Sequence, residues 1–241
     1  MLTTPPDVIK VGGALLQDPK RAHAFLEGVA RRDSPCVLIH GGGPAVSAMA
    51  DRLGVSSHFV DGLRVTSPAL MQVAEMVQVG VVSRQVVSGL TRAGSRAIAL
   101  SGPDMGGWLR AHQIQDGVLG RVGEIRSVDC DVLLSLLAQG VIPVVAPVAV
   151  DDDLESLNVN ADQVAYAIAA ALGAHALHFA SDVEAVLGPD GPVAELAWEK
   201  AEHWLADGTV TGGMGPKLRS CHHALLAGVS EVHIGQTRVR L

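Results

Sequence analysis

Aromatic residues are scarce in this chain of 241 residues: Phe, Trp and Tyr make up 3% of it. With 48% of the residues hydrophobic, the apolar material is mostly Ala, Val and Leu, which suits helices packed on sheets. Cysteine is also sparse. The three, Cys36, Cys130 and Cys221, are odd in number and far apart, which argues against a disulfide framework and for a reducing cytoplasm. No apolar run approaches the roughly 20 residues of a membrane span. The opening "MLTTPPDVIK" has neither the basic start nor the apolar stretch of a signal peptide. A basic run is absent too, and the net charge is −7, so nucleic acid is not an expected partner.

Motifs are missing as well. The Walker pattern G-x-x-x-x-G-K-[ST] does not occur, which excludes a P-loop nucleotidase, and no G-x-G-x-x-G follows the first strand, which argues against a nicotinamide enzyme. The ten histidines match no common metal-ligand spacing, and no metal site is expected. No G-x-S-x-G elbow supplies a nucleophile. Lysine is rare: of the eighteen basic residues only Lys10, Lys20, Lys200 and Lys217 are lysines. Lys10 and Lys217 both stand within a few residues of glycine pairs. A compact point charge where the chain elsewhere uses arginine is one reading; chance placement is the other.

What is present is an alternation of short β-like runs with helical stretches. Strands are expected at 7–12, 36–40, 95–102, 141–148 and 176–181, with helices at 18–32, 44–54, within 68–93, and at 129–139, 161–174, 197–206 and 214–227. "SHFVDGLRVT" reads as a hairpin about Asp-Gly, 103–126 as hairpins or a flap, and 183–195 as another hairpin. "EVHIG" and "TRVRL" close the chain. The alternation predicts an α/β fold with a mainly parallel sheet and helices on both faces. The chain is expected to form one compact unit of two lobes, 1–173 and 174–241.

Ligands in such folds gather at the carboxyl ends of the strands, and four strand or loop ends carry informative residues. "KVGGALL" and "HGGGPAV" follow the first two strands; "LNVNAD" and "TGGMGPK" precede helices. Glycines there let backbone N–H groups converge on an anion at a helix N-terminus. Gly41, Gly42 and Gly43 are read as such a cradle. Asn158, Asn160 and Asp162 are either capping residues or a substrate-binding asparagine and an aspartate that positions a lysine. Arg64 is either a solvated hairpin charge or a bidentate carboxylate clamp. "VDDDLES" reads as a solvated acidic turn.

Taken in order, "IKVGGALL", "HGGG", "DGLRVT", "LNVNAD", "SDVEAVL" and "TGGMGPK" resemble the amino-acid kinase family over nearly the whole chain. "GLRVT" and "NVNAD" point to the branch that phosphorylates the γ-carboxylate of N-acetyl-L-glutamate in arginine biosynthesis. The resemblance implies an open αβα sandwich, with the acceptor in the N-terminal lobe and ATP, with Mg²⁺, in the C-terminal lobe. It implies that Lys10 and Lys217 flank the transferring phosphoryl group and that Asp162 organises them. Gly42, Gly43, Arg64 and Asn158 would hold the acceptor, with Arg64 on its α-carboxylate. Gly12, Gly13, Ser181, Asp182, Val183, Thr209, Val210, Thr211 and Gly213 would surround the nucleotide.

The chain departs from the family pattern at Pro103, where lysine is common, and at Glu184 and Ala185, where glycine is common. No helical extension precedes the first strand, from which a homodimer without arginine feedback is expected. Two alternatives stay open: a kinase acting on carrier-protein-linked aminoadipate, and a non-catalytic nucleotide-binding relative.

Overall fold

Strands buried on both faces cannot alternate apolar with polar residues, so they appear in the sequence as continuous aliphatic runs. "DVIKV" and "CVLIH" become Asp7–Val11 and Cys36–His40, each buried along its whole length. In the computed structural model, which describes residues 4–60, 62–114, 117–180 and 183–241, they form the centre of an eight-stranded sheet. Its order is 195–197, 237–240, 231–234, 176–180, 7–11, 36–40, 141–145, 96–100. Neighbours run parallel, except the closing hairpin Glu231–Ile234 with Thr237–Arg240.

Helices cover both faces, giving the three-layer αβα arrangement. On one side Val8, Val37 and Ile39 pack with residues of Asp131–Ala138, Ala161–Leu172, Trp198–Ala206 and Met214–Leu226. On the other, Ile9, Val11 and Leu38 pack with Leu26, Val29, Val86 and Leu90 from Pro19–Ala30 and Ser83–Arg92. Alternation along Asp7–Val11 puts Lys10 on the same side as Val8, under the helix Ala161–Leu172.

The carboxyl ends of the six parallel strands in the interior and right half of this sheet share one edge. Gly12 follows the strand 7–11, Gly41 follows 36–40, Ser101 follows 96–100 and Ala146 follows 141–145. Chain turns there approach closely: an added Cβ on Gly41 would sit 3.2 Å from Gly13 N, so the two glycine loops touch backbone to backbone.

Two expectations needed correction. The run "VIPVVAPV" is not one strand. It stops at Val145 and resumes as Val148–Val150 across Pro147, which lacks the N–H a continuous ladder needs. Val148–Val150 instead joins Leu109–Gln113, Val122–Val128 and Ser156–Val159 in a small closed barrel beside the main sheet; the region 103–126 thus supplies two paired strands of that barrel. The helix within 68–93 is interrupted by a π-helical stretch, Met76–Val82, between Pro68–Glu75 and Ser83–Arg92. A five-residue helix, Gly13–Gln17, also intervenes after the first strand.

The hairpins at 58–65 and 187–192 form as expected. The acidic turn is partly neutralised: Arg121 pairs with Asp151 and Glu155, and Arg126 with Asp152.

Two glycines make opposite predictions. A Cβ on Gly102 would lie 2.5 Å from Ala149 Cα, a backbone clash nothing flexible relieves. Gly28, inside Pro19–Ala30, has no atom within 4 Å of its Cβ position. Thermal unfolding should show Gly102→Ala destabilised by roughly 2 kcal/mol or more and Gly28→Ala stabilised by about 0.5–1 kcal/mol.

Candidate active site

The first strand carries one of its two charged side chains, Lys10, into the layer beneath Ala161–Leu172. Lys10 is 8% exposed and Asp162 7%, and Lys10 Nζ lies 2.6 Å from Asp162 Oδ1. A lone ammonium here would lose its hydration without return; the carboxylate supplies the compensating charge. Asp162 is placed by the start of its helix. Asn160 is the N-cap, its side chain accepting from Asp162 N at 2.8 Å. The capping reading therefore holds for Asn160, while Asp162 beside it is an ion-pair residue.

Asn158 points elsewhere. It belongs to the barrel strand Ser156–Val159, and its Nδ2 donates to Thr66 Oγ1 at 3.1 Å. Thr66 Oγ1 in turn donates to Arg64 O at 2.7 Å. Together with Gly42, Gly43, Phe59 and Arg64, Asn158 lines a cleft of about 160 Å³.

Arg64 is 7% exposed, so it is not a solvated hairpin charge. It pairs across the hairpin with Phe59 and stacks on it, its Cζ 4.5 Å from the ring centroid. Its guanidinium donates to Gly43 O at 2.8 Å, to Ser47 Oγ at 2.9 Å and to Ser57 Oγ. Every one of these partners is neutral, and no carboxylate lies within ion-pair distance among the described residues. Burial lowers its pKa and the charge of Asp51 works in the opposite sense; a guanidinium stays protonated regardless. Among the described residues, the cleft therefore holds a buried cation with no counter-carboxylate.

The helix Gly43–Leu53 begins at Gly42 with no side-chain cap, unlike Pro19–Ala30 and Pro68–Glu75, capped by Asp18 and Ser67. Its first-turn N–H groups have no intrahelical partner and carry the positive end of the helix dipole. Gly41 N is already used, donating to Val11 O at 2.9 Å, which leaves Gly42 and Gly43 as the donors of the cradle. His40, just before it, is fully buried: Nε2 lies 2.7 Å from Ser83 Oγ and Nδ1 3.3 Å from Gly41 O. Burial lowers its pKa to about 4. His40 is thus a neutral strut, not a proton carrier.

The residues expected around the nucleotide form a looser group. Gly12 N donates to Ala180 O at 3.0 Å, tying the first glycine loop to the end of the strand 176–180. Lys217 stands in the first turn of Met214–Leu226 and donates to Gly213 O at 3.2 Å. It is not joined to the Lys10–Asp162 pair. Val210 is buried, its N–H donating to Trp204 O, and Thr209 N donates to Asp207 Oδ1. Thr211 and Val183 are exposed at the same edge. Ser181 and Asp182 lie outside the described residues.

The departures at 103 and 184 have local explanations. Pro103 sits in a turn closed by Asp104, whose carboxylate accepts from Ser101 N and Ser101 Oγ. Glu184 contributes its carbonyl, which accepts from Gln236 N at 2.7 Å. Sequence reasoning missed Gln78, which is buried and lines the cleft with Arg64 and Asn158.

His40 generates a pH prediction. Its folded pKa of about 4 lies below the unfolded value near 6.5, so between those values the unfolded chain binds a proton that the folded chain refuses. The stability linked to neutral His40 is complete above about pH 6.5 and is lost as pH falls toward 4. Denaturant titrations across this window should show His40→Gln reducing the pH dependence by about one proton.

Residues 7–236 match the model of the amino acid kinase family. Among curated proteins, the acetylglutamate kinase of Chloroflexus aurantiacus is 45% identical over 94% of this chain and 90% of its own length. That of Halalkalibacterium halodurans is 42% identical over 94% and 87%. Among solved structures, smu.665 from Streptococcus mutans superposes with a TM-score of 0.88 at 26% identity, covering 98% of both chains. The parallel sheet with its glycine-lined carboxyl edge, the Lys10–Asp162 pair and these likenesses together place the chain in the amino acid kinase family.

Proposed function

We propose that this chain is an acetylglutamate kinase, transferring the γ-phosphoryl group of ATP to the γ-carboxylate of N-acetyl-L-glutamate and forming an acyl phosphate for arginine biosynthesis. The observation that carries the acceptor assignment is Arg64: a buried guanidinium whose hydrogen-bond partners among the described residues are all neutral, at the wall of a cleft beside uncapped helix N–H groups. A dicarboxylate answers both features. Its α-carboxylate takes Arg64, and its γ-carboxylate reaches Gly42 and Gly43, with Asn158 between them.

The chemistry asks little covalent work of the protein. A γ-carboxylate has a pKa near about 4.3 and is already a nucleophile at neutral pH, so no general base is required. Negative charge accumulates between acceptor oxygen and departing phosphate, and fixed positive charge there lowers the barrier. Lys10, held by Asp162, serves the acceptor side. Lys217, whose hydrogen bond among the described residues goes to a carbonyl, turns to the phosphates from the donor side. Gly12, Gly13, Ser181, Asp182, Val183, Thr209, Val210, Thr211 and Gly213 are assigned to ATP. The acceptor half is 1–173 and the donor half 174–241.

No cluster of three His, Cys, Asp or Glu side chains able to hold a metal occurs among the described residues, and Asp162 is committed to Lys10. Mg²⁺ is therefore assigned to the phosphates of ATP and water, with no step routed through a protein-bound ion. The proposal includes a cytoplasmic homodimer. Free thiols at Cys36, Cys130 and Cys221 support the reducing compartment, and exposed Met76 and Val81 on the interrupted helix supply apolar surface for a partner.

The test is trapping with hydroxylamine: purified protein with Mg²⁺-ATP should yield hydroxamate from N-acetyl-L-glutamate and not from L-glutamate or N-acetyl-L-aspartate. No hydroxamate from any of them, with protein that binds ATP, overturns the reading in favour of a carrier-linked acceptor or a non-catalytic binder. In the same assay Arg64→Ala should raise the acceptor KM by roughly 100-fold, the loss of a charge-assisted bidentate contact, with the ATP KM unchanged. Lys10→Ala should lower kcat by about 10²–10³ while ATP affinity stays within a few-fold.

A further inference from the structure

The π-helical stretch Met76–Val82 has a role that the acceptor assignment does not use. Widened turns of this kind cost hydrogen-bond geometry and concentrate at functional sites. Here the stretch brings Gln78 against the glycine cradle: a Cβ on Gly42 would lie 3.1 Å from Gln78 Cγ. Gln78 is 5% exposed and lines the cleft with Arg64 and Asn158.

Its amide is used unevenly. Nε2 approaches Asn158 Oδ1 at 3.5 Å, while Oε1 is buried with no hydrogen-bond partner among the described residues. A buried amide with an empty acceptor is a net cost to folding. A leucine of similar reach would fill the same space without that cost. The polar group at this position is thus poorly explained by packing and well explained by what it touches.

What it touches is the orientation of Asn158. Nδ2 of Asn158 is fixed on Thr66, whose hydroxyl is fixed on the carbonyl of Arg64; Oδ1 faces Gln78. Gln78 thereby completes a line of side chains, Gln78 to Asn158 to Thr66 to the Arg64 backbone, that connects the cradle at Gly42 with the arginine. Ser83, one residue beyond the stretch, holds His40 at the other end of the cradle.

We propose that Gln78 is a positioning residue for the acceptor: it sets the amide orientation of Asn158 and backs the peptide at Gly42, so that the two carboxylate-binding ends of the cleft keep a fixed separation. The inference rests on the acceptor reading given above. It acts on acceptor binding and not on the nucleotide, because no nucleotide-side residue belongs to this line of contacts.

Isothermal titration with N-acetyl-L-glutamate and, separately, with a non-hydrolysable ATP analogue tests it, alongside steady-state kinetics and thermal unfolding. Gln78→Leu is expected to weaken acceptor binding and raise the acceptor KM by about 5- to 20-fold, with nucleotide binding unchanged and Tm unchanged or raised. Placed on Asn158→Ala, the same change should add less than about 2-fold, since its target is gone. Gln78→Glu keeps the size but not the donor, and should reproduce the acceptor defect; it provides the second variant should Gln78→Leu not fold. Wild-type acceptor affinity retained in both variants overturns the inference, as does a lowered Tm with acceptor and nucleotide binding falling together, which marks a structural role. Full additivity with Asn158→Ala overturns it as well. Absence of any N-acetyl-L-glutamate binding by the wild-type protein is a separate outcome: it removes the acceptor reading itself.

Discussion

A lysine in the central strand of a sheet covered by helices on both sides must be neutralised there, and much of this molecule follows from that requirement. The carboxylate has to come from the layer above, so the helix carrying Asp162 is pinned over Lys10 at one register. That register sets where its N-terminus falls. Asn160 caps the helix, and the preceding strand 156–159 carries Asn158 into the cleft. The ion pair thus fixes two groups at once: a cation at the carboxyl edge of the sheet, and the segment that holds the acceptor side. The glycines that follow the strand, where no side chain intrudes, keep that edge open to a substrate.

The site works by fixed charge. Arg64 and the uncapped N–H groups of Gly42 and Gly43 await anions, while the group most suited to move protons, His40, is kept neutral by burial and spent on holding a backbone turn. A reaction whose nucleophile is already ionised matches such a site. The same economy explains the low lysine content: cations matter here by position, and the two assigned to the phosphoryl group are each set beside glycine.

The sheet, its helices and most of the polar site were legible in the sequence because their signals are local. Aliphatic runs ending in glycine mark buried strands with turns that approach a ligand, and Asn-Asp patterns before an Ala-rich helix mark a cap. Both readings of "LNVNAD" proved partly right, since Asn160 caps and Asn158 faces the cleft. Arg64 illustrates the limit: a residue two positions after a turn gives no sign of burial, which depends on how Phe59 and Ser57 of its own hairpin and Ser47 of the helix Gly43–Leu53 close around it. The small barrel was missed because its two local hairpins, 109–113 with 122–128 and 148–150 with 156–159, are closed by pairings between segments far apart in sequence, and the break at Pro147 looks like a continuing apolar run. The π-helical stretch, and Gln78 with it, left no trace because the periodicity of seven widened residues is hidden inside a helix of about 25.

The ladder between the strands 7–11 and 176–180 carries a mechanical consequence. Val8 to Val11 pair in register with Leu177 to Ala180, so the segments 1–173 and 174–241, proposed to take acceptor and ATP, are stitched by backbone hydrogen bonds, not joined by a flexible strap. Such a seam resists shear and hinge bending but tolerates a change of twist, which sheets accommodate at low cost. On the proposed assignment, donor and acceptor would approach by a rotation of one end of the sheet against the other, or by the movement of rim hairpins such as 58–65.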